Sequence, residues 1–481
     1  MSLPSLQSVP HLDALRAAAA QLRAPLYLVG GAVRDLLLDR PLGDLDLTTT
    51  DARDLARAVA SELVGVVVPL HDDPVTVRVV ASVATGAREL DIVQLTGEVG
   101  TDLARRDFTI NAAALRLWPE PPELLDPHGA AAAAWARRLA VVTEAALDDD
   151  PLRLIRAYRL AAQCGLTIES ATRGAIAARA PLITQPAAER MAAELVKLLA
   201  APTGAHHLCL MAEDGVLQEL LPELAAGAGM DQGGYHHLDV WGHSLQVAAE
   251  AERIANHPGE WFPRHAAELS DYVADADRLA AVKLGALLHD VGKPECRVWH
   301  EDRFRFFGHD EAGAALALRI SRRLRLPGRV GDTTALLVGG HMRPLQLWRT
   351  AASDGPSLRA VRRLFGDLGP HVLGLLIVVL ADRAGCLGPA SDPTELPGLA
   401  RAFDALLLLR AEVAPVPRRR LLTGRDLIRE FGLTPGPRFR ELLEATEEAA
   451  DLGEISTREE ALQLVGRLLR LPHPPTEGEP S

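Results

Sequence analysis

Two runs near the N-terminus set the interpretation of this chain, Leu28-Val29-Gly30-Gly31-Ala32-Val33-Arg34-Asp35 and Leu42-Gly43-Asp44-Leu45-Asp46-Leu47-Thr48. The first predicts a strand that turns at two glycines into a helix, whose exposed amides can seat a triphosphate. Arg34, one turn into that helix, can clamp phosphate oxygens. The second predicts a strand on which Asp44 and Asp46 share one face about 7 Å apart. Such carboxylates can converge on two divalent ions about 4 Å apart, an arrangement that suits nucleotidyl transfer.

Composition narrows the class of protein. The chain of 481 residues is too long for one core, and its many Ala and Leu residues predict a mainly helical protein. The net charge of -13 argues against broad binding of a polyanion, so any RNA contact must be local. Arginine clusters at 322–325, 362–363 and 418–420 are candidates, although solvated helix faces explain them equally well.

The expected location is the cytoplasm. The four cysteines are scattered without a Cys-x-x-Cys pair, which predicts neither a disulfide framework nor a zinc knuckle. No signal peptide is apparent. The most apolar stretch, from His371 to Ala381, is too short to span a bilayer, so no membrane partner is expected.

Secondary-structure patterns separate a mixed segment from a helical one. Strand-like runs separated by helical patterns occur at Leu26–Val29, Val64–Val68, Val75–Ala81 and Leu90–Leu95. After about residue 147 the pattern is helix after helix, with proline and glycine punctuation. The Gly-rich stretch at 227–234 and the prolines at 415 and 417 predict two further boundaries. The tail after His473 should be disordered.

A third carboxylate is expected near Asp44 and Asp46, because two ions that carry a nucleotide benefit from a group that activates the attacking hydroxyl. Asp91 is the candidate, on a strand where Leu90 and Ile92 face one side and Asp91 faces the other. The alternative is an ordinary polar position on an edge strand. The pattern does not choose between the two.

Two later runs carry charged groups that a nucleotide needs. In Arg105-Arg106-Asp107-Phe108-Thr109-Ile110-Asn111, two arginines, an acid and an amide can hold a triphosphate and read a ribose. Further on, Asp150 and Arg153 are three residues apart on a predicted helix and can lie side by side. Asp150 before Pro151 is also a good helix N-cap, with Pro151 at the first helical position. This role is a sufficient structural explanation for Asp150 and Pro151. The arginines that recur along one flank are harder to explain in that way: Arg153, Arg156 and Arg159.

Together these runs resemble the class II tRNA nucleotidyltransferase and bacterial poly(A) polymerase family. Glu189-Arg190 in Ala188–Leu199 is similar to the family's neck motif, and residues 422–427 and 432–437 resemble its C-terminal region. The resemblance covers nearly the whole chain. It implies template-independent addition of CMP, with or without AMP, from CTP and ATP to the 3′ end of tRNA. It also implies Mg²⁺ as cofactor and the tRNA acceptor end as partner.

The resemblance assigns roles to residues. Asp44 and Asp46 would carry Mg²⁺, and Asp91 would assist. Asp150 and Arg153 would pair with the base edge, so that protein rather than nucleic acid is the template. The physics agrees, because an Asp accepts from the exocyclic amine that C and A share while an Arg donates to a ring nitrogen or carbonyl. The remaining nucleotide-binding residues that it implies are Gly30, Gly31, Arg34, Asp35, Arg105, Arg106, Asp107, Asn111, Arg156 and Arg159.

One departure from the family concerns specificity. CCA-adding relatives carry a flexible loop before the Arg-Arg-Asp run, often with an arginine at the preceding strand's end. Here only Thr96–Thr101 separates Leu95 from Asp102, and Thr96 takes the place of that arginine. A shortened loop is associated in the family with enzymes that stop after two cytidines, so CC addition competes with CCA addition. Free variation of a surface loop is the alternative.

A second constellation lies between residues 235 and 385. Its core residues are His243, the adjacent pair His289-Asp290, and Asp382, with His309 and His341 besides. Imidazole and carboxylate together suit Mn²⁺, Fe²⁺, Ni²⁺ or Zn²⁺, which lower the pKa of a bound water toward neutrality. A lone histidine on an apolar helix is usually a core residue, but this many candidates favour a metal site.

This second set resembles the HD-domain metal-dependent phosphohydrolases, which are found in some tRNA nucleotidyltransferases. It implies activity on a phosphomonoester or a 2′,3′-cyclic phosphate end, with a retained structural metal as the alternative. We therefore expect a multidomain α/β plus all-α protein. Its expected segments are an N-terminal helical extension (1–24), a polymerase-beta-like nucleotidyltransferase head (25–147), a helical RNA-binding neck (148–227), an HD domain (228–410) and a helical tail (411–481).

Several functions remain open from the sequence. Nucleotide addition to RNA leads, with poly(A) synthesis as one variant of it. Hydrolysis at the HD site as the main activity is the second, with the head only gripping RNA, and a catalytically idle RNA-binding protein is the third. We expect the tRNA to run over the helical body and the Arg418–Arg425 region by phosphate contact.

Overall fold

The computed structural model describes residues 6–81, 89–232, 237–301, 303–350, 356–386, 392, 394–413, 421–434, 436–451 and 454–470. Arg418 to Arg420, Tyr235, His236 and the predicted disordered tail lie outside the described residues. The chain divides into two compact units. The first comprises Met1–Pro344 and Leu373–Ala400, and the second comprises Leu345–Val372 and Arg401–Ser481.

A seven-stranded mixed sheet organises the N-terminal part of the first unit. Its strands are β1 (Leu26–Val29), β2 (Leu45–Thr49), β3 (Val66–Asp72), β4 (Val75–Val80), β5 (Glu89–Gln94), β6 (Ala114–Trp118) and β7 (Glu123–Leu125). They lie in the order β3-β4-β5-β2-β1-β6-β7. The strands β2 and β5 pair in parallel and the other neighbours pair antiparallel. The parallel register sets Asp46 opposite Asp91, so two of the predicted carboxylates are neighbours.

Six helices accompany the sheet: α1 (Leu12–Leu22), α2 (Gly31–Leu37), α3 (Ala52–Glu62), α4 (Val99–Ala104), α5 (Ala130–Trp135) and α6 (Ala145–Asp149). The apolar residues of α1 at helical spacing, Leu15, Ala18 and Ala19, are buried in the same core as Leu45 and Leu47 of the sheet. The segment that we expected as an extension therefore packs on the sheet. These elements, residues 6–149, are called the sheet region below.

Two strand predictions differ from the structure. The run Val64–Val68 was expected as a strand, but Val64 has a left-handed φ of 50° and the strand begins at Val66. The strand of Asp91 is flanked by β4 and β2, so the edge-strand explanation of Asp91 is wrong. Its alternation is as predicted, since Leu90 and Ile92 are fully buried.

Beyond the sheet region, most of the residues that the structure describes are helical. Two short pairs of strands lie outside the seven-stranded sheet: β8 (Arg138–Leu139) pairs with β9 (Thr167–Ile168), and β10 (Arg297–His300) pairs with β11 (Arg303–Phe306). The first helices after the sheet region are α7 (Arg153–Cys164), α8 (Ser170–Ala177), α9 (Ala188–Leu199), α10 (Gly204–Glu213), α11 (Val216–Leu220) and α12 (Pro222–Ala225). They are followed by α13 (Val240–Asn256), α14 (Pro258–Trp261), α15 (Ala266–Ala274), α16 (Ala276–Leu288), α17 (His309–Leu324), α18 (Gly328–Gly340) and α19 (Met342–Thr350). The part of the first unit from residue 153 onward is called the helical region.

The remaining helices are α20 (Leu358–Leu368), α21 (Val372–Gly385), α22 (Glu395–Leu408), α23 (Arg410–Val413), α24 (Gly424–Phe431), α25 (Pro437–Asp451) and α26 (Arg458–Arg470). The second unit has its own core, which includes Leu427, Leu442 and Val465. Its helix α24 starts with a reciprocal capping box between Thr423 and Asp426.

The apolar stretch near residue 371 is longer than predicted. Over 28 residues, Leu358–Gly385, it has the length and composition of a membrane span. A 3₁₀ turn at Gly369–His371 separates its two helices, and 67% of its most apolar window is buried within the protein. Burial of this kind is also what a core helix requires.

Candidate active sites

The turn between β1 and α2 brings backbone close to two charged side chains. Gly30 has a φ of +66°, which favours glycine. A Cβ on it would lie 2.9 Å from Nη1 of Arg106 and 3.1 Å from Oδ2 of Asp46. The next amide, of Gly31, donates a hydrogen bond to the Asp46 carboxylate. Gly30 is thus required where the sequence predicted it, at the edge of a charged cleft.

Asp46 lies half-buried on β2, and Asp44 is exposed just before that strand. Burial raises the pKa of Asp46, while the Arg106 guanidinium acts in the opposite direction. A carboxylate whose burial is incompletely offset by its neighbours is a good ligand for a cation. Asp46 therefore fits the predicted magnesium role.

A cleft of about 240 Å³ opens beside Asp46. Its lining includes nine predicted nucleotide or metal residues: Gly30, Gly31, Asp46, Arg105, Arg106, Asp107, Asn111, Arg153 and Arg156. A second cavity of about 220 Å³ shares Asp46, Arg105 and Arg106 with the first and reaches Leu95 and Thr96. Asp102 also lines both spaces, so two carboxylates and two arginines border them.

The cleft arginines differ in how they are held. Arg106 forms an ion pair with Asp102, with Nη2 and Oδ2 2.9 Å apart. Arg105 is exposed, and its side chain pairs with none of the residues that the structure describes. Arg153 donates to the carbonyl oxygens of Ala146 and Arg105, at 2.9 and 3.1 Å, while its Nε is buried without a hydrogen-bond partner. A bound anion is a natural partner for such a donor.

A buried network supports the cleft from behind. Asp107 accepts from Nδ2 of Asn111 at 3.0 Å and lies 3.4 Å from Nη1 of Arg156. Arg156 and Arg159 both pair with Glu194, which is 7% exposed. Glu194 was missed in the sequence, where it is one acid on an amphipathic helix. Its role becomes visible only when α7 and α9 pack together.

Several predicted residues do not line the cleft: Asp44, Asp91, Arg34, Asp35, Asp150 and Arg159. Arg34 makes two hydrogen bonds of 2.9 Å to Asp35, and it donates weakly to Asn111 at 3.4 Å. It thus orders the glycine turn and is not free to clamp phosphate in this structure. Arg159 donates to Gln163 as well as to Glu194.

Asp91 lies next to Asp46 but is already paired. Arg78 donates to both of its oxygens, at 2.7 and 2.9 Å, and also pairs with Glu89. The hydrogen bonds to Asp91 are the main cause of the raised pKa of Arg78, and the charges of Asp91, Glu89 and Asp44 add to it. Arg78 was missed in the sequence, although a basic residue on the polar face of the Val75–Ala81 strand was a signal.

The expected pair of Asp150 and Arg153 is not formed. The helix α7 begins at Arg153, and Asp150 accepts from the Leu152 amide in the preceding turn. The Asp150 carbonyl also accepts from the Arg153 amide at 3.0 Å, so Asp150 caps the turn that leads into α7, as predicted, although the regular helix starts only at Arg153. The other carboxylate oxygen of Asp150 lies 2.9 Å from Nη2 of Arg190. Asp150 and Arg153 are near in sequence but are held by different partners.

The second constellation is assembled in the helical region as two adjacent groups. One consists of His243, His289 and Asp382, and the other of Asp290, His309 and His341. Within each group the candidate ligand atoms lie within 4.8 Å of one another. All six predicted residues are thus brought together from α13, the end of α16, α17, the end of α18, and α21.

Asp290 joins the two groups. Its Oδ2 lies 3.1 Å from Nε2 of His289, and its Oδ1 lies 3.3 Å from Nε2 of His309. On the first side, Nε2 of His243 is 3.0 Å from Oδ1 of Asp382. On the other, the Nε2 atoms of His309 and His341 are 3.3 Å apart. A carboxylate with one oxygen toward each group is suited to bridging two cations.

Backbone carbonyls orient three of the imidazoles. Nδ1 of His289, His309 and His341 lies 2.7 to 2.8 Å from the carbonyl oxygen three residues earlier in each case. Donation from Nδ1 makes Nε2 the ring atom that would face a metal ion. The Nε2 of His289 is buried, and although it lies 3.1 Å from Oδ2 of Asp290, it meets no acceptor at a hydrogen-bonding angle. The three Nε2 atoms are therefore better placed to bind a metal ion than to form hydrogen bonds with each other.

Local charge is also arranged around the centre. Lys293 donates to Asp290 and to Gln232, each at 2.6 Å. Burial and the charge on His289 lower the pKa of His341 to about 4, so its imidazole is neutral at pH 7. Burial also lowers the pKa of His289, but Asp290 and Asp382 outweigh burial and raise it to about 10. A metal ion would displace that proton. Lys293 and Gln232 were not predicted.

Three family models match successive parts of the chain. They are the poly A polymerase head domain over residues 26–139, the probable RNA and SrmB-binding site of polymerase A over 165–227, and the HD domain over 240–383. The order head, RNA-binding segment and HD domain is the one expected from the sequence.

Relatives match over nearly the full length. An A-adding tRNA nucleotidyltransferase of Deinococcus radiodurans is 37% identical, with 92% of this chain and 94% of the relative covered. A CC-adding tRNA nucleotidyltransferase of Thermus thermophilus is 34% identical, with 90% and 92% covered. The solved CCA-adding enzyme of Bacillus stearothermophilus in complex with CTP matches with a TM-score of 0.60 at 24% identity, covering 98% of each chain, and shows a shared fold.

The match in sequence over nine-tenths of both chains confirms the predicted family and fold class, and the order of domain models agrees with it. The chain belongs to the tRNA nucleotidyltransferase and poly(A) polymerase family, in a form that carries an HD domain.

Proposed function

We propose that this protein adds CMP, AMP or both in succession to the 3′ end of tRNA, using CTP and ATP. The observation that carries the proposal is the cleft in which Asp46 and the turn at Gly30 face four arginines. The named activities of the Deinococcus and Thermus relatives support it. We also propose the division into five segments that the sequence predicts. The proposed location of the protein is the cytoplasm.

The chain's own residues bind and orient the reactants. The backbone at Gly30 approaches the phosphates closely because no Cβ intervenes. Arg105, Arg106 and Arg153 offset the triphosphate charge from the facing wall of the cleft. Asp46 and Asp44 would hold Mg²⁺, which would supply charge stabilisation at the transferred phosphorus and would lower the pKa of the attacking 3′ hydroxyl. Asp91, steadied by Arg78, assists from the neighbouring strand.

Base choice is proposed to rest on Asp150 and Arg153. Both must exchange their present partners for the base edge, Asp150 releasing Arg190 and Arg153 releasing backbone carbonyls. Discrimination by an Asp and Arg pair favours C and A, because both bases present an exocyclic amine to the acid.

The test uses labelled tRNA that lacks its 3′ end, Mg²⁺ and each nucleotide in turn. Incorporation that disappears in Asp46→Ala supports the proposal. A matched control is Asp54→Ala, an exposed acid on α3 that pairs only with Arg57 among its described contacts. Incorporation unchanged in Asp46→Ala would refute it.

Product length then assigns specificity. Two added residues mean CC addition, three mean CCA addition, one A on a CC-ended tRNA means A addition, and a long ladder means poly(A). The connection from Gln94 to α4 is only Leu95–Glu98, and this shortness keeps CC addition open beside CCA addition. An A-adding relative and a CC-adding relative both match this chain.

The helical centre favours a second activity, hydrolysis of a phosphate ester. The specific observation is that Asp290 presents one oxygen to each of two buried ligand groups. Metals of the Mn²⁺, Fe²⁺, Ni²⁺ or Zn²⁺ type would be held by the six ligands and would supply a nucleophilic water near neutral pH. Metal analysis and phosphate release from phosphomonoester and 2′,3′-cyclic phosphate ends test it. Bound metal without turnover would leave only a structural role.

A further inference from the structure

A two-stranded hairpin lies in the sequence between two groups of metal-centre residues. It is formed by β10 and β11 and follows Lys293 by four residues, and it ends three residues before His309. The antiparallel register pairs Arg297 with Phe306 and Trp299 with Phe304. Paired residues of antiparallel strands point to the same side. These four side chains therefore form one side of the hairpin, called the aromatic face here.

The aromatic face is a continuous row of rings and cations. The rings of Trp299 and Phe304 meet edge to face with centroids 4.9 Å apart. The Arg297 guanidinium lies 3.6 Å above the centre of Phe304. At the inner end, Nζ of Lys293 is 5.4 Å from the centre of the Phe306 ring. The row thus runs from Trp299 toward the lysine that donates to Asp290.

Packing does not account for the outer end of this row. Trp299 is 64% exposed, although a tryptophan is among the costliest side chains to leave in water. The inner end is different, because the Phe306 carbonyl accepts from Nδ1 of His309 and so helps to set a metal ligand. One end of the hairpin is therefore part of the metal centre and the other end presents an aromatic ring to solvent.

The charge of the hairpin indicates which kind of partner would bind its aromatic face. Residues 297–307 contain three arginines and a histidine against two acids, in a chain whose net charge is -13. Arg297 is exposed beside the rings and Arg303 is exposed on the other side. Flat rings interleaved with arginines suit single-stranded nucleic acid, since bases stack on the rings and phosphates pair with the guanidinium groups.

We propose that the aromatic face of the Arg297–Phe306 hairpin binds single-stranded RNA by stacking and directs the end of that strand to the metal centre. The guiding role rests on the proposed hydrolytic activity, whereas the binding role does not. The substrate class that follows is an RNA with an unpaired, phosphorylated terminus. A duplex end would leave no free base to stack on Trp299.

Binding is tested on the full-length chain without turnover. The probe is a short single-stranded RNA that ends in hydroxyl groups, followed by fluorescence anisotropy, and a 4-thiouridine version is photo-crosslinked and mapped by mass spectrometry. We expect cross-links within residues 297–307 and an affinity about 10-fold lower in Trp299→Ala, a typical loss for one stacked base. Trp299→Phe should restore most of the affinity. Trp135→Ala, which removes an 87% exposed tryptophan of the sheet region, is the matched control.

The outcomes separate the two proposals. Equal affinity in wild type and Trp299→Ala, with cross-links elsewhere in the chain, would overturn the stacking proposal. A loss in Trp299→Ala that Trp299→Phe does not restore would overturn it too, because it indicates a structural role. For a 3′-phosphorylated RNA, Trp299→Ala should raise KM about 10-fold with little change in kcat. Binding through the hairpin without any phosphate release would retain the stacking site and reject hydrolysis.

Discussion

The sheet region and the helical region build charged sites in opposite ways. In the sheet region the cleft is open, and Asp46 and Arg106, like Arg153 at the start of the helical region, are held by partial contacts that a ligand can replace. In the helical region His243, His289 and Asp290 are at most 2% exposed. Asp382 holds His243, the Ala286 carbonyl holds His289, and Lys293 holds Asp290. The difference suits a site that exchanges nucleotides in one case and a site that retains metal ions in the other.

The same contrast applies to stability. Buried charges cost free energy unless they are fully paired, so the helical region depends on complete pairing. Half-exposed charges in the sheet region are screened by water, and incomplete pairing there is tolerated. Substitutions should therefore have separate effects in the two regions, and the following four variants test this separation.

The largest effect is expected for Asp290→Asn. Loss of the bridging carboxylate should remove bound metal and reduce any phosphate release by at least about 1000-fold, because several kcal/mol of charge stabilisation are lost. Nucleotide incorporation into tRNA should be unchanged. Metal analysis, phosphate release and incorporation are measured on one preparation. Asp310→Asn, which changes the neighbour of His309, is the control. Loss of incorporation in a folded Asp290→Asn protein would contradict the separation.

Glu252→Gln should destabilise the helical region. Lys283 is fully buried, and its Nζ donates to Glu252 at 2.7 Å and to the Ala201 carbonyl at 2.6 Å. An unpaired buried ammonium typically costs about 3–5 kcal/mol. Urea denaturation measures the loss. Glu250→Gln, on the same helix but paired with the more exposed Arg253, should cost less than about 1 kcal/mol. Equal losses in the two variants would show that burial is not the cause.

Asp150→Ala should alter base choice more than stability. A base contact of this kind typically contributes about 1–3 kcal/mol, so preference for CTP or ATP over UTP and GTP should fall about 10- to 100-fold. The ratios of kcat/KM for the four nucleotides give the result. Asp148→Ala is the control, because that acid pairs with Arg179 and lies outside the cleft lining. Unchanged ratios would remove Asp150 from the selection of the base.

The smallest effect is expected for Asp46→Asn in the absence of divalent ions. Burial raises the pKa of Asp46 in the folded state, so its ionised form opposes folding at pH 7. The protonated Asp46 carboxyl contributes its full stability only below the pKa that Asp46 has in the unfolded chain. This stability is lost as pH rises through the raised pKa of Asp46 in the folded chain. Asp46→Asn should therefore raise the unfolding free energy at pH 7 by on the order of 1 kcal/mol or less. Thermal unfolding in EDTA at pH 7 and pH 3 checks this, and the gain should vanish at the lower pH.

The sequence by itself determined the elements and the kinds of chemistry. Gly30-Gly31 and the alternating Asp44-Leu45-Asp46 specify a turn and a strand through local backbone and side-chain periodicity, and the His289-Asp290 pair specifies ligand types. These inferences needed only residue type and near spacing. Local spacing also gave one wrong prediction, the pairing of the Asp150 and Arg153 side chains. The two residues are three positions apart, but one lies in a turn and the other in a helix, and their side chains have separate partners.

Only the tertiary structure decided which groups meet across long separations. The pairing of Arg78 with Asp91, of Glu194 with Arg156, and of Lys293 with Gln232 depends on strand register and helix packing. Such contacts join residues that are 13 to 61 positions apart, and one sequence does not encode them in any local pattern. The physical reason is that burial and partner choice are properties of the packed chain, and these set the charge of each site.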